Sequence, residues 1–277
     1  MRLGGPIFGS YSEPSEWINL LRNYGYRAAY CPVDNSASDD IVRAYKEMAS
    51  ESDIVIAEVG AWSNPLSPNE EIRRSAIEFC KRQLDLADRI GALCCVNIAG
   101  SRGEKWDGPC EDDLKEETFQ MIVETVREII DGVKPIRAFY TLETMPWMFP
   151  DSPDSYLRLI KAIDRKQFAV HLDIVNMINS PRRYFFNSEF IKECLEKLGP
   201  YIKSCHIKDV ILKQSFIVHI EEVRPGLGKI DYRTLLRELK KLSVDIPLML
   251  EHLQSEEEYQ KAGEYLRSIG KEVGVFL

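Results

Sequence analysis

Four polar side chains stand at the ends of four successive apolar segments in the second half of the chain. Glu143 follows YTL, Asp173 follows HL, His206 follows SC and Glu251 follows LML. One such acidic residue could cap a helix or form a surface salt bridge, but four converging groups would repel one another unless a cation lay between them. Three carboxylates and one imidazole favour Mn²⁺, with Mg²⁺, Co²⁺ or Zn²⁺ as alternatives. The four residues are therefore predicted to hold one divalent metal ion.

These segments belong to a regular alternation of apolar runs and amphipathic helical stretches. The apolar runs are typical of strands buried on both faces, and they cover residues 3–9, 26–32, 54–59, 92–99, 138–144, 168–174, 202–208 and 247–253. The predicted helices cover residues 16–23, 39–50, 69–90, 111–131, 152–163, 188–198, 232–242 and 256–269. Eight such units predict an α/β fold, a single (β/α)8 TIM barrel, with residues 1–277 as one domain. In such a barrel the carboxyl ends of the strands face the active site.

Charge and composition exclude several function classes. The 277 residues include 36 Lys and Arg against 44 Asp and Glu, so the net charge is −8. Because phosphate neutralisation supplies most of the affinity for nucleic acids, no nucleic-acid partner is expected. An acidic surface disfavours anionic membranes, and no apolar run approaches the ~20 residues that span a bilayer. The seven cysteines contain no CxxC pair and the N-terminus lacks a signal-peptide pattern, which predicts a reduced, cytoplasmic protein.

Two further patterns concern the loops. Neither a Gly-x-Gly-x-x-Gly motif nor a P-loop follows the first predicted strand, which argues against a nucleotide-binding open sheet. Residues 210–229 read as one long irregular stretch between the seventh strand and the seventh helix. Loops of this length in a compact domain are usually functional.

The ordered set of motifs resembles the xylose-isomerase-like barrels of the sugar phosphate isomerase/epimerase group. This group includes ketose 3-epimerases, hydroxypyruvate isomerase, inosose dehydratase and the AP-endonuclease branch. The resemblance covers essentially the whole chain and rests on TLET around Glu143, HLDIVN around Asp173, CHIKD around His206, the segment Pro225-Gly-Leu-Gly228 and LEH around Glu251. It implies that these four polar residues are the metal ligands and that Glu143 and Glu251 are also the catalytic acid/base pair.

One position departs from the family pattern. Many members read Asp-x-x-His on the sixth strand, whereas this chain has Asn176 at the fourth position. Asparagine can hydrogen-bond a hydroxyl group but carries no proton near neutral pH, so the reaction is left open between epimerisation, isomerisation and dehydration. The multi-zinc AP-endonuclease branch needs many more histidines than the four present here.

The predicted substrate contacts are polar or aromatic residues at or after the predicted strands: Arg224, Asn176, Lys208, Asn97, Trp106 and Trp62. The resemblance implies the role of Arg224, which precedes the Pro-Gly pair. Lys208 could equally form a salt bridge behind the site. His171 and His252 are expected to be structural, and Glu58 to orient a substrate group or pair with an arginine. Trp147 is a further candidate for an aromatic wall.

The function that the resemblance implies is a divalent-metal-dependent epimerase or isomerase of a ketose or related polyol. It would work through a metal-stabilised enediolate with the two glutamates as acid and base. An inosose-type dehydratase is the alternative, and a non-catalytic sugar-binding barrel is the second alternative. The expected partner is a small-molecule sugar or polyol, unphosphorylated because no Gly-rich phosphate cup follows the last two strands. By analogy with relatives, the expected assembly is a homodimer or homotetramer.

Overall fold

A closed barrel of eight parallel strands forms the centre of the molecule in the computed structural model, which describes residues 1–242 and 245–277. The described residues form ten strands: β1 (Arg2–Gly4), β2 (Ala28–Tyr30), β3 (Val55–Gly60), β4 (Cys94–Asn97), β5 (Phe139–Glu143), β6 (Phe168–Leu172), β7 (Ile202–Ile207), β8 (Asp209–Lys213), β9 (His219–Val223) and β10 (Pro247–Leu250). Strands β1 to β7 and β10 form the barrel, which closes where β1 pairs with β10. The predicted (β/α)8 barrel is confirmed.

Helices surround the barrel, and the buried apolar side chains form the core between the two layers. They are α1 (Pro14–Asn23), α2 (Asp39–Glu51), α3 (Glu70–Ile90), α4 (Glu116–Val133), α5 (Pro153–Ile163), α6 (Pro181–Phe185), α7 (Asn187–Leu198), α8 (Tyr232–Lys240) and α9 (Glu256–Val273). Ser38, Asn69, Ser152, Asp231 and Ser255 each accept a backbone N–H of the first helical turn, which stabilises the helix start. Among the helices of the described residues, none is long and apolar enough to cross a bilayer.

The elements differ from the predicted ones mainly at their ends. The helix predicted over 111–131 begins later, because Glu111–Leu114 form a separate 3₁₀ turn, and the short α6 was not predicted. Apart from β3, the barrel strands are shorter than the apolar runs, and the ladder stops before Asp173, Lys208 and Glu251. The apolar run therefore continues past the last paired residue into the mouth of the barrel.

Tyr156 on α5 fixes the two strands that carry the first two site residues. Its hydroxyl donates to the carbonyl of Leu142 at 2.6 Å and accepts the backbone N–H of His171 at 3.3 Å. The side chain is fully buried, so these bonds compete little with water. They tie the carboxyl ends of β5 and β6 together.

The long stretch 210–229 is not irregular, which corrects the sequence interpretation. Most of it forms an antiparallel hairpin, in which β8 pairs with β9 from Asp209↔Val223 to Lys213↔His219. The hairpin strands are short, and one of their faces is solvated, so the sequence lacks the continuous apolar run of a buried strand. The hairpin stands beside the mouth of the barrel, directly after β7.

Asp209 closes the base of this hairpin. Its Oδ1 accepts the backbone N–H groups of Val210 and Ile230 at 2.9 Å, and its Oδ2 accepts those of Gly226 at 3.0 Å and Gly228 at 3.2 Å. Gly226 has a φ of +96°, a conformation that favours glycine. The spacing between the CHIKD motif and the Pro-Gly-x-Gly segment thus has a structural cause, because one carboxylate accepts four backbone N–H groups. We call this arrangement the Asp209 clamp.

We expect Gly228→Ala to open this clamp. A Cβ at this position would lie 2.1 Å from Asp209 Oδ1 and 2.5 Å from the Val210 carbonyl oxygen. The free energy of unfolding should fall by about 2–4 kcal/mol, measured by urea denaturation. Gly132→Ala in α4 is the control, because its Cβ would meet only the flexible Lys81 side chain at 3.2 Å. Equal stability of the two variants would contradict the clamp.

Candidate metal centre and substrate cavity

The carboxyl ends of β5, β6, β7 and β10 bring the four predicted ligands together. One donor atom from each of Glu143, Asp173, His206 and Glu251 lies within 4.8 Å of the other three. All four side chains are buried. The structure therefore has the convergence that the sequence led us to expect, and the role of these residues as metal ligands stays a prediction.

The contacts within this cluster leave two of its carboxylate oxygens without a hydrogen bond from the described residues. His206 Nδ1 lies 3.0 Å from both Glu143 Oε1 and Glu251 Oε2. The Lys208 ammonium lies 2.8 Å from Asp173 Oδ2 and 2.5 Å from Glu251 Oε1, yet neither oxygen receives a well-aligned hydrogen bond within the described residues. Two buried carboxylate oxygens without a donor, beside an imidazole nitrogen, fit the oxygen-rich ligand set of a divalent ion such as Mn²⁺ or Mg²⁺.

Without an ion, bound protons balance the negative charge of the cluster. Burial raises the pKa of Asp173 to about 8, and the charges of Glu143 and Glu251 add to this effect against the attraction of Lys208. Burial disfavours a charged His206, but the charges of Glu251 and Glu143 raise its pKa well above the usual value. Binding of a divalent ion at these residues would therefore release protons.

Glu58 on β3 lies beneath the cluster and binds both buried histidines. Its Oε1 accepts from His206 Nε2 at 3.0 Å, and its Oε2 accepts from His171 Nε2 at 2.9 Å and from Ser204 Oγ at 2.8 Å. Burial opposes its ionisation, but the charges of His171 and His206 lower the pKa of this carboxyl well below the usual value. Because Nε2 of His206 donates to Glu58, Nδ1 is the nitrogen that faces the other carboxylates. This carboxylate–histidine arrangement is the one that orients metal-binding imidazoles.

A cavity of about 630 Å³ opens above the cluster. Glu143, His206 and Glu251 form part of its floor, while Trp62, Trp106 and Trp147 contribute to its walls. Among the predicted substrate contacts, Trp62, Trp106, Asn176 and Lys208 line the cavity. Asn176 also donates from Nδ2 to Glu143 Oε1 at 3.2 Å and to the Thr144 carbonyl at 3.1 Å, so it positions Glu143.

Two predicted substrate contacts lie elsewhere. Asn97 is fully buried, and its side chain bonds the backbone N–H and carbonyl of Ser63 at 3.3 Å and 3.2 Å. It therefore holds the loop that carries Trp62. Arg224 donates from Nε to Glu258 on α9 at 2.8 Å and is not part of the cavity lining. This partner on a distant helix could not be inferred from the Pro-Gly motif.

Two cavity residues were missed or misassigned by the sequence analysis. His252 was expected to be structural, but it lines the cavity, because β10 ends at Leu250 and His252 adopts a φ of +58°. Its Nδ1 lies 3.2 Å from Oε2 of Glu222 on β9, which also lines the cavity. Glu222 could not be found without the hairpin, since it follows no barrel strand. Glu58 pairs with histidines rather than with an arginine.

We expect Glu58→Gln to weaken the binding of Mn²⁺ about 10–100-fold, measured by calorimetry with a competing chelator. A carboxamide keeps the shape but turns an NH₂ group toward donors, so His206 loses its fixed orientation. Asp88→Asn is the matched control: Asp88 accepts the backbone N–H groups of Ile136, Arg137 and Ala138 beside the start of β5. It should lower stability and leave Mn²⁺ affinity within about twofold. Unchanged affinity in Glu58→Gln would refute the role of Glu58.

Comparison with known proteins agrees with this geometry. The family model described as xylose isomerase-like TIM barrel matches residues 18–269. A search of curated protein sequences found no match. Among solved structures, D-psicose 3-epimerase with D-tagatose from Clostridium cellulolyticum H10 is 15% identical, with a TM-score of 0.72 over 99% of this chain and 100% of that one.

Two other solved structures share the fold. A xylose isomerase-like TIM barrel protein from Mycobacterium smegmatis in complex with magnesium is 18% identical, with a TM-score of 0.67 over 95% of this chain and 90% of that one. The probable 3-DHS dehydratase AsbF from Bacillus anthracis is 15% identical, with a TM-score of 0.70 over 96% and 97%. At these identities the likeness shows the fold alone. From the match of the family model, the chain belongs to the xylose isomerase-like TIM barrel family.

Proposed function

We propose that this protein is a divalent-metal-dependent epimerase or isomerase of a small ketose or related polyol. The observation that carries the proposal is the buried cluster of Glu143, Asp173, His206 and Glu251 on the floor of an open cavity. The similarity to a D-psicose 3-epimerase and to a magnesium-bound barrel of the same family supports the substrate class and the cofactor. A cavity of about 630 Å³ is within the usual range for small-molecule sites.

The four clustered residues would hold the ion, Mn²⁺ by preference, with Mg²⁺, Co²⁺ or Zn²⁺ as alternatives. A bound divalent ion supplies Lewis-acid polarisation of a substrate carbonyl. The chain's own contribution is to keep its donor atoms in place: Asn176 and His206 hold Glu143, while Glu58 holds His206.

Glu143 and Glu251 are suited to remove a proton from a substrate carbon and to deliver a proton to the same or the adjacent carbon. Burial opposes their ionisation, but the charge of His206 keeps the pKa of each carboxyl below its usual value, so both begin as bases. One accepts the proton next to the carbonyl, and the other takes up a proton from water before it returns one to the substrate. Return to the opposite face of the same carbon gives epimerisation, and return to the adjacent carbon gives isomerisation.

The walls of the cavity suit a sugar. Trp62, Trp106 and Trp147 line it, and indole rings can pack against the C–H faces of a polyol. Trp147 Nε1 donates to the Asp107 carbonyl at 3.1 Å, which fixes this wall to the loop after β4.

A dehydratase is the second candidate. The Lys208 ammonium lies beside Glu251 and 3.5 Å from His252, so a proton donor stands next to a base on the cavity floor. Such a pair suits the loss of a hydroxyl group β to a carbonyl. The similarity to a probable 3-DHS dehydratase supports including this reaction in the tests.

We expect Glu251→Gln to reduce turnover about 10²–10⁴-fold, because a carboxamide cannot exchange a proton. Mn²⁺-loaded protein would be incubated in D₂O with ketoses and inososes, and the products and deuterium incorporation would be followed by NMR. In the variant, Glu143 can still exchange the proton on its own face, so some deuterium should enter without epimerisation.

Glu257→Gln is the control for this measurement, since Glu257 is exposed on α9 and pairs with Lys261 at 2.8 Å. Full activity of Glu251→Gln would refute the acid/base assignment. A dehydrated product would select the second candidate. A protein that binds sugars without any turnover would be the non-catalytic barrel.

Removal of the metal should lower stability as well as turnover. Elemental analysis should give about one equivalent of divalent ion, because the four clustered residues would together hold a single ion. An ion present at 100 times its dissociation constant contributes about 2.7 kcal/mol, so chelation should lower Tm by roughly 5–10 °C. Melting curves before and after chelation, followed by re-addition of Mn²⁺, measure this. A metal-free protein whose Tm ignores all four ions would contradict the proposal.

A further inference from the structure

The hairpin turns one face toward the body of the protein. Val210, Leu212 and Ile220 on this face are buried or half-buried and pack against the main core. Glu222 shares the face, because it pairs in register with Val210 and alternates with Glu221. It is the one charged residue among the four strand residues on that face, and it is the most exposed of them.

That carboxylate points over the cavity floor. Glu222 Oε2 lies 3.2 Å from His252 Nδ1 and 3.8 Å from Lys208 Nζ. The side chain is 35% exposed, so part of the carboxylate remains open to a ligand. Both Glu222 and His252 line the same cavity as Glu251.

The backbone of His252 is in the left-handed conformation. Its φ of +58° is uncommon for a residue with a side chain and strains the chain directly after a metal-ligand candidate. Backbone strain of this kind persists where the surrounding contacts enforce it, and it often occurs at functional positions. Here it accompanies an imidazole that lines the cavity and lies 3.2 Å from Glu222.

The charges around the cavity disfavour an anionic ligand. Each lysine of the lining has a carboxylate partner: Lys105 lies 3.2 Å from Asp107, and Lys208 lies 2.8 Å from Asp173 and 2.5 Å from Glu251. Arg224 lies outside the lining and is bound to Glu258. Glu222 adds a negative charge at the rim. A hydroxyl group can donate to this carboxylate and accept from the neighbouring imidazole, whereas a phosphate or carboxylate would be repelled.

We propose that Glu222 and His252 form a specificity-determining pair that binds hydroxyl groups of an uncharged polyol and discriminates against its phosphorylated form. The proposal rests on the proposed function, since it assigns a substrate class to the same cavity. It gives the β8–β9 hairpin a role: the hairpin carries Glu222 to the substrate, and the Asp209 clamp fixes the base from which it extends.

The test compares two neighbouring glutamates. Glu222→Gln removes the carboxylate at the cavity, whereas Glu221→Gln removes one on the opposite hairpin face, where it pairs with Lys213 at 3.0 Å. Both variants change the net charge equally. Binding of D-tagatose and D-tagatose 6-phosphate to the Mn²⁺-loaded proteins would be measured by calorimetry, with metal content and Tm recorded for each.

We expect the wild type to bind D-tagatose at least about tenfold more tightly than the 6-phosphate, since the Glu222 carboxylate at the rim opposes the phosphate. Glu222→Gln should lose about tenfold in affinity for D-tagatose and most of this discrimination, because it loses a charged hydrogen bond. Glu221→Gln should stay within about twofold of the wild type. For a sugar that is turned over, KM should rise in Glu222→Gln while kcat changes little, a split that general loss of structure would not produce.

A second variant guards against misfolding. His252→Asn should keep the backbone, because asparagine tolerates a positive φ, and should weaken D-tagatose binding in the same direction. Unchanged binding in both Glu222→Gln and His252→Asn would overturn this proposal while the wild-type binding still supports the proposed function. A wild type that prefers the phosphate would also overturn it. A wild type that binds neither sugar would overturn the proposed function and this inference together.

Discussion

The rest of the site depends on the burial of several carboxylates around one imidazole. Glu58, Glu143 and Glu251 all contact His206, and Asp173 lies within the same cluster. Buried carboxylates strongly destabilise a fold unless a cation or hydrogen-bond donors compensate them. Both ring nitrogens of His206 serve this purpose, one below toward β3 and one above toward the cavity. Lys208 adds a second cation from the same strand end.

Because the buried carboxylates need compensating positive charge, strand β7 and its continuation, which carry His206 and Lys208, are central to the site. In the CHIKD segment, His206 and Lys208 both point into the barrel mouth, while Asp209 turns away and binds four backbone N–H groups at the base of the hairpin. The alternation of a strand allows these two tasks on adjacent residues. A displacement of the hairpin would therefore shift Lys208, which is one residue from the clamp. Through Lys208 it would also change the contacts of Asp173 and Glu251.

The residues that the sequence could reveal are those governed by strand periodicity. The barrel and the cluster of Glu143, Asp173, His206 and Glu251 followed from polar residues at the ends of apolar runs, because parallel strands end at one edge. Glu58 also ends a predicted strand, but its partners lie on β6 and β7 across the barrel, and a single chain pattern does not encode that pairing. His252 was misassigned because a regular strand would turn its side chain away from that of Glu251, whereas the backbone at residue 252 is left-handed and the side chain lines the cavity.

Asn176, which follows β6, and His252, which follows β10, can be understood together. Asn176 occupies the position where many family members have a histidine, and its amide is engaged with Glu143 and the Thr144 carbonyl. It therefore restrains Glu143, to which we assign a proton transfer, and it has less hydrogen-bonding capacity left for a substrate. Besides His206, a second imidazole of this cavity comes from the loop after β10, beside Glu251, and it lies next to a carboxylate of the hairpin. Under the proposed function, polar contacts to a substrate would therefore come from the Glu251 side of the cavity rather than from Asn176. A polyol bound between the two glutamates would have its reacting carbon oriented by contacts on that second side.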